Sequence, residues 1–406
     1  IHLRQRRQQL TGKLRKGQGY KDAADVVNLL SRFFVVSKAK VRNPTELAQE
    51  LAYRARYLRR LAVKQLGEES VTGPLRDLYN AFKEALVHDL TEDKFADAYA
   101  QTITYGLLTA RWTGNAQLYA AGERLTRQTA LKHLPASSPF LKEFFKSVLS
   151  VRLDEQRGRL LWLVDDIADL LDRVDVGYVF GAGDPESTSA RDPVIHFYEP
   201  FLDAYDPQLK KDLGVFYTPR PIVSYIVRSV HELLRTEFGL EDGLASTTTW
   251  GEMLTKHPNL QLPPLTDEPN ETRTISKDEP FVLILDPATG TATFLVEVID
   301  VIYRTLEAKW TQQGLSDDQQ LAKWNDYVPK HLLPRLHAYE LMMAPYAIAH
   351  MKVDLKLAET GYHFGTEERT RIYLTNALET WVKQPPMIGF DALAHEAAAV
   401  NDIKRR

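Results

Sequence analysis

Five apolar residues, Phe281, Val282, Leu283, Ile284 and Leu285, run directly into Asp286, Pro287, Ala288, Thr289, Gly290, Thr291, Ala292 and Thr293. From there the spacing changes: Phe294, Val298, Ile302 and Leu306 recur every four residues, as on one side of a helix. No other stretch constrains the fold as much. The apolar run predicts a strand buried on both faces of a parallel sheet. A strand, a loop of small residues and a helix in that order form the ligand-binding crest of an open α/β sheet. Gly290 permits backbone angles closed to larger residues, its small neighbours let a ligand approach the main chain, and the helix start offers unpaired N–H donors. Asp286 at the strand tip would repel a pyrophosphate but suits an ammonium group or a pair of hydroxyls. The Gly-Lys-Ser/Thr of a phosphate loop does not occur here, nor does the Gly-x-Gly-x-x-Gly that an NAD-dependent oxidoreductase needs.

Arg335 to Glu340 predicts a second strand ending in an acid, followed by a helix over residues 344–357. An acid at the end of the second strand binds ribose hydroxyls in dinucleotide folds, which gives Glu340 a ready role. A third strand over residues 371–375 leads to Asn376, whose amide both donates and accepts and so suits an adenine edge.

Before residue 173 the pattern is helical. Leu47, Leu51, Arg54, Leu58, Leu61 and Gln65 mark one face of a helix that Asn43 caps, with Pro44 at its first position and Glu46 completing a box-like start. Phe95, Tyr99, Ile103 and Leu107 form a second stripe; Leu160, Leu163, Ile167, Leu170, Leu171 and Val174 form a third. Arg54, Arg56, Arg59 and Arg60, with the basic opening Arg4, Arg6, Arg7, Lys13, Arg15 and Lys16, offer a phosphate-binding surface or, more simply, a solvated helix face. Residues 177–193 are rich in turn formers and separate this part from the rest. Residues 241–280 carry five prolines and read as a surface excursion with at most short helices.

The chain has 406 residues, enough for two or three domains. With 51 basic against 54 acidic side chains, any nucleic-acid surface must arise from local clustering. The absence of cysteine excludes disulfides, thiolate metal sites and a thiol nucleophile. The eleven histidines make no metal signature, so no metal is expected. No apolar run approaches the ~20 residues of a membrane span, so no membrane partner and a cytoplasmic location are expected.

Residues 286–294 resemble the Asp-Pro-Ala-x-Gly-x-Gly-x-Phe motif of the amino-group DNA methyltransferases, specifically the N6-adenine class. Leu213, Gly214, Val215, Phe216, Tyr217, Thr218 and Pro219 are similar to the Phe-Tyr-Thr-Pro element that precedes the first strand in these enzymes. The runs 339–350 and 374–378 further resemble the large single-chain restriction-modification and phage-defence enzymes called type ISP or type IIG-like. The specific motifs cover residues 213–378.

The resemblance implies a mixed fold, with an all-α N-terminal domain followed by a partial Rossmann-like α/β methyltransferase domain. Residues 1–205 would be the helical coupler or spacer, and 206–406 the part that binds S-adenosyl-L-methionine. Phe216, Tyr217, Thr218 and Pro219 would close over the cofactor near its methionine moiety. Asp286 would meet the amino group, with Pro287, Ala288, Gly290 and Thr291 lining the moiety. Glu340 would bind the ribose, and Asn376 with Ala377 would sit by the adenine. Double-stranded DNA would be the partner of the full-length parent, with restriction or defence-system subunits beside it. Two departures bear on this. Ala292 replaces the usual second glycine, which fits the loop if its φ is negative. The catalytic Asn/Asp-Pro-Pro-Tyr/Phe motif is missing, Gln384-Pro385-Pro386-Met387 being the nearest string, so the chain is expected to end before its catalytic loop, to hold no catalytic residue and to be inactive alone. The alternative is a non-catalytic helical module coupling DNA recognition to a motor or nuclease.

Overall fold

In a computed structural model, residues 41, 43–69, 73–85, 90–114, 122–134, 137–149, 158–179, 193–208, 218–262, 274–365, 368–380 and 391–404 are described. Arg42–Arg406 form one compact unit. The fold is mainly helical, with a small parallel sheet towards the C-terminal end.

The helical stretch carries α1 (Pro44–Glu68), α2 (Pro74–Ala85), α3 (Glu92–Thr113), α4 (Pro139–Leu149), α5 (Gly158–Asp172) and α6 (Pro193–Tyr205). Asn43 caps α1 by accepting the Glu46 N–H at 2.9 Å, with Pro44 in the first turn, as its sequence predicts. Leu47, Leu51 and Leu58 are fully buried along the predicted face, and Phe95, Tyr99, Ile103 and Leu107 are buried on α3. Helix α3 is the axle of this region. Its residues from Tyr99 to Arg111 are buried almost all round, and the Thr102 and Thr104 hydroxyls satisfy themselves on the carbonyls of Ala98 and Ala100. Gly106 is required there for space, since an added Cβ would come within 1.9 Å of the Phe145 ring.

Arginines staple these helices together. Arg54 donates to Glu50 and to Asp166 of α5, both at 2.7 Å. Arg59 reaches Asp93 and Asp97 of α3 and Asp206 just beyond α6. Two of the four arginines on this helix are therefore internal cross-links, whereas Arg56 and Arg60 face outward. The basic opening lies outside the described residues.

The sheet orders β1 (Ile284–Asp286), β2 (Leu336–Glu340) and β3 (Arg371–Leu374), all parallel. Helices α7 (Arg220–Thr236), α8 (Trp250–Lys256), α9 (Thr293–Gln312), α10 (Asp317–Tyr327), α11 (Met343–Glu359) and α12 (Asp391–Lys404) surround it. α9 and α11 pack together over one face, while Val400 and Ile403 of α12 pack on Tyr339 and Tyr373 of the other. The excursion at 241–280 has the short helices expected, a 3-10 turn at Gly243–Ala245 and α8; its middle is outside the described residues. Arg335, fully buried, binds that turn to the foot of β2 through the carbonyls of Ser246 and Leu244 and the Tyr327 hydroxyl.

The first strand departs from expectation. β1 spans three residues at a sheet edge, and Leu283 and Leu285 are 45% and 49% exposed, so it is not buried on both faces. The physical reason is coverage: α12 covers β2 and β3 on that side, and β1 has β2 as its single neighbour among the described strands. The helical and sheet-bearing stretches touch along α3 and α11, where Met351 accepts from the Thr109 hydroxyl at 3.4 Å.

Candidate functional site: the tips of β1 and β2

Parallel register brings the carboxyl ends of the first two strands together, with Asp286 beside Ala338 and Glu340 two residues further on. The loop after β1 turns back onto β2, its Thr289 N–H donating to the Tyr339 carbonyl at 3.0 Å. Glu340 then joins the two tips. Its Oε2 accepts the Gly290 N–H and its Oε1 the Met342 N–H, each at 2.8 Å. The Thr375 N–H donates to the Glu340 carbonyl, which fixes the third tip beside the second.

The loop owes its shape to two left-handed residues, Gly290 at φ +54° and Ala292 at φ +64°. A side chain at Gly290 would meet open space, so glycine is needed there for its angles. Ala292 contradicts the negative φ its identity suggests. Its N–H donates to the Thr289 carbonyl at 2.8 Å and it is fully buried. The tight turn into α9 thus imposes a conformation that costs a non-glycine residue about 1–2 kcal/mol.

Three polar atoms of this loop, Asp286 Oδ2, Thr289 Oγ1 and Thr291 Oγ1, are buried with no partner in hydrogen-bond geometry. Buried polar atoms are nearly always bonded, so such a group within six residues asks for an explanation. Thr289 and Thr291 are both more than nine-tenths buried. Burial pushes the Asp286 carboxyl up, although the Ala288 N–H at 3.3 Å and the nearby Thr289 hydroxyl ease its charge. Burial likewise pushes Glu340 up to about 7 against its three amide donors, and Asp286 adds repulsion. A carboxylate with an unused oxygen and two unused hydroxyls can take an ammonium and further hydroxyl or carboxylate groups.

The predicted residues fall into four groups. Asp286, Ala288, Gly290, Thr291 and Glu340 meet here, with Pro287 exposed on the rim. Asn376 and Ala377 stand at the third tip, but the Asn376 amide is engaged in its own turn, accepting from Leu378 N–H at 3.0 Å and donating to Glu379 at 3.2 Å. Thr218 and Pro219 open α7, and among the described residues neither hydrogen-bonds to the tips. Phe216, Tyr217 and the 384–387 string lie outside the described residues. Sequence reasoning missed the Thr289 hydroxyl and the Met342 amide. The signal for the first was a hydroxyl residue three places after the strand-tip acid.

A second concavity, a cleft of about 520 Å³ lined by Gln65, Glu69, Leu78, Tyr99 and Leu161, lies in the helical region. None of the three unbonded loop atoms faces it, and the strand tips are the better candidate.

No protein-family model matches the chain, and a search of curated proteins gives no match. Solved structures do. The ATP-dependent type ISP restriction-modification enzyme LlaBIII, bound to DNA, matches with a TM-score of 0.52 at 16% identity, over 88% of this chain and 20% of that one. A nuclease-deletion mutant of the type ISP restriction-modification enzyme LlaGI, in complex with a DNA substrate mimic, matches with a TM-score of 0.49 at 17% identity, over 88% and 22%. A DrdV–DNA complex matches with a TM-score of 0.48 at 18% identity, over 93% and 30%. The chain is thus similar in fold to part of a type ISP restriction-modification enzyme, and spans about a fifth of LlaBIII. Among the described residues no helix is long and apolar enough to cross a membrane.

Proposed function

We propose that the tips of β1 and β2 bind S-adenosyl-L-methionine, and that the chain is the cofactor-binding portion of an adenine-N6 DNA methyltransferase in a restriction-modification or phage-defence system. The observation that carries this reading is the set of buried, unbonded atoms on Asp286, Thr289 and Thr291. The residues fit the cofactor. Asp286 Oδ2 would accept from the ammonium group, and the two threonine hydroxyls would bond the same end of the molecule. With the Gly290, Leu341 and Met342 amides on its carboxylate, Glu340 keeps one acceptor position for a ribose hydroxyl. Ala377 and the backbone at Asn376 would flank the adenine, and for Asn376 to read its edge the amide must leave its turn.

When bound, the cofactor supplies an electrophilic methyl group. This chain's residues hold and orient that donor, and none is assigned to the target base. Double-stranded DNA is the proposed partner of the longer protein, in keeping with the DNA-bound state of LlaBIII. Equilibrium dialysis with radiolabelled S-adenosyl-L-methionine tests the reading, with excess NAD and ATP as competitors. Retention that neither competitor reduces is expected, and Asp286→Ala should weaken it by about 1.5–3 kcal/mol, the range for a charge-assisted hydrogen bond. Retention lost to NAD or ATP, or none at millimolar cofactor, would refute it.

A further inference from the structure

The turn after β3 is held twice, once by its own residues and once from outside. Within the turn the Asn376 side chain accepts the Leu378 N–H and donates to Glu379, and the Glu379 N–H reaches back to the Asn376 carbonyl at 3.3 Å. The outside support is Lys404, in the last turn of α12 and 28 residues further along the chain. Its ammonium donates to the Asn376 carbonyl at 2.6 Å and to the Thr375 hydroxyl at 3.3 Å, and lies 5.8 Å from the centre of the Tyr339 ring. Val400 and Ile403, packed on Tyr339 and Tyr373, fix the end of α12 that carries it. Since the Thr375 N–H bonds the Glu340 carbonyl, Lys404 ties the third tip to β2 as well as to α12. An ammonium on a carbonyl is charge-assisted and stronger than the neutral bonds beside it.

We propose that Lys404 is a positioning residue for the adenine: by clamping the main chain at Thr375 and the Asn376 carbonyl, it keeps the third tip in place while the Asn376 amide exchanges its turn bonds for the adenine edge. The inference rests on the cofactor reading above and adds to it the residue on which base selection depends. Reading the edge requires the amide to leave Leu378 and Glu379, which removes two of the turn's own bonds. The bonds from Lys404 involve neither side-chain atom of that amide, so they survive its movement. With them the tip is ordered before the base arrives. Without them the ordering has to be repaid out of the edge contact itself, and the contact discriminates less.

Titration calorimetry of the whole chain tests this with two probes, S-adenosylhomocysteine and its 6-deamino analogue, in which a hydrogen replaces the purine amino group. Wild type should prefer the amino probe about tenfold, the worth of one hydrogen bond. Lys404→Met keeps the aliphatic stem, removes the ammonium and should lose most of that preference; Lys404→Arg, which still donates, should retain it. A residue that served the fold alone would lower the melting temperature and weaken both probes alike, leaving their ratio unchanged. An unchanged ratio in folded Lys404→Met would therefore overturn the proposal. Asn376→Ala decides if that variant fails to fold: a preference it keeps would overturn the proposal, and one it loses while Lys404→Arg retains its own supports it. Equal binding of both probes by wild type would overturn the proposal and leave the cofactor reading intact. Binding of neither would overturn both.

Discussion

The helical stretch and the strand tips treat buried polar groups in opposite ways. In the helical stretch Arg59 has three aspartates, Arg111 donates to the Leu171 and Val174 carbonyls, and the Tyr205 hydroxyl donates to Asp97 at 2.5 Å. At the tips, three polar atoms in six residues stay unbonded, one loop residue is held at a disfavoured angle, and two acids sit together. The first pattern is that of polar groups used to fix helices in place. The second is that of groups kept for something other than folding, because strain and unsatisfied bonds persist where a site needs them.

The largest expected effect breaks the first pattern. Arg59→Ala strips a counter-charge from part-buried Asp97 and should lower unfolding free energy by about 3 kcal/mol, the low end for broken buried pairs because both side chains keep some exposure. Arg56→Ala, one helical turn away on the outward face, should stay within about 0.5 kcal/mol. Urea melts of the two side by side measure the contrast. Gly106→Ala should cost about 3 kcal/mol, the upper range for overpacking, because the Phe145 ring has to move.

The strand tips give smaller effects of a different kind. Glu340 holds its proton to about 7 when folded, against an ordinary value of 4.5. The folded chain therefore binds more protons than the unfolded chain between those values, and this group's contribution declines as pH rises through them. The stability of wild type minus that of Glu340→Gln should fall by about 2.5 kcal/mol from pH 4.5 to 7 and flatten above, and a flat difference throughout would remove the perturbed carboxyl. Smaller still, Ala292→Gly should stabilise the chain by about 1 kcal/mol, since glycine takes φ +64° without steric cost. A loss of stability would show that the loop does not hold that angle.

Short-range pattern carried much of this structure. The change from a continuous apolar run to helical spacing at residue 294, the cap at Asn43 and the acid ending β2 are all local signals, and each lies where the sequence put it. Longer range was less legible. Arg59 read as a solvated or phosphate-binding cation because its partners lie 34 to 147 residues away, and nothing local marks them. The open face of β1 depends on which helices cover the sheet, which the apolar run 281–285 does not record. Ala292 does not meet the condition of a negative φ, because turn closure onto Thr289 decides its angle and residue type does not record that closure. At the site, Asp286 and Glu340 stood out as strand-end acids, but the bond between Glu340 and Gly290, fifty residues apart, needed the sheet register.

The central claim is that the unbonded atoms on the β1 loop belong to a ligand and not to the fold. Thermal melts of wild type and Thr289→Val, each with and without S-adenosyl-L-methionine, test it most directly. A buried hydroxyl with no partner in hydrogen-bond geometry costs its desolvation and returns only the slight easing of the Asp286 charge, so Thr289→Val alone should melt at or above wild type. Wild type should gain about 2.7 kcal/mol at a hundredfold excess over its dissociation constant. The valine variant should gain clearly less at the same cofactor concentration. A variant that melts well below wild type yet keeps the full cofactor-induced gain would contradict the claim, because the hydroxyl would then serve the fold.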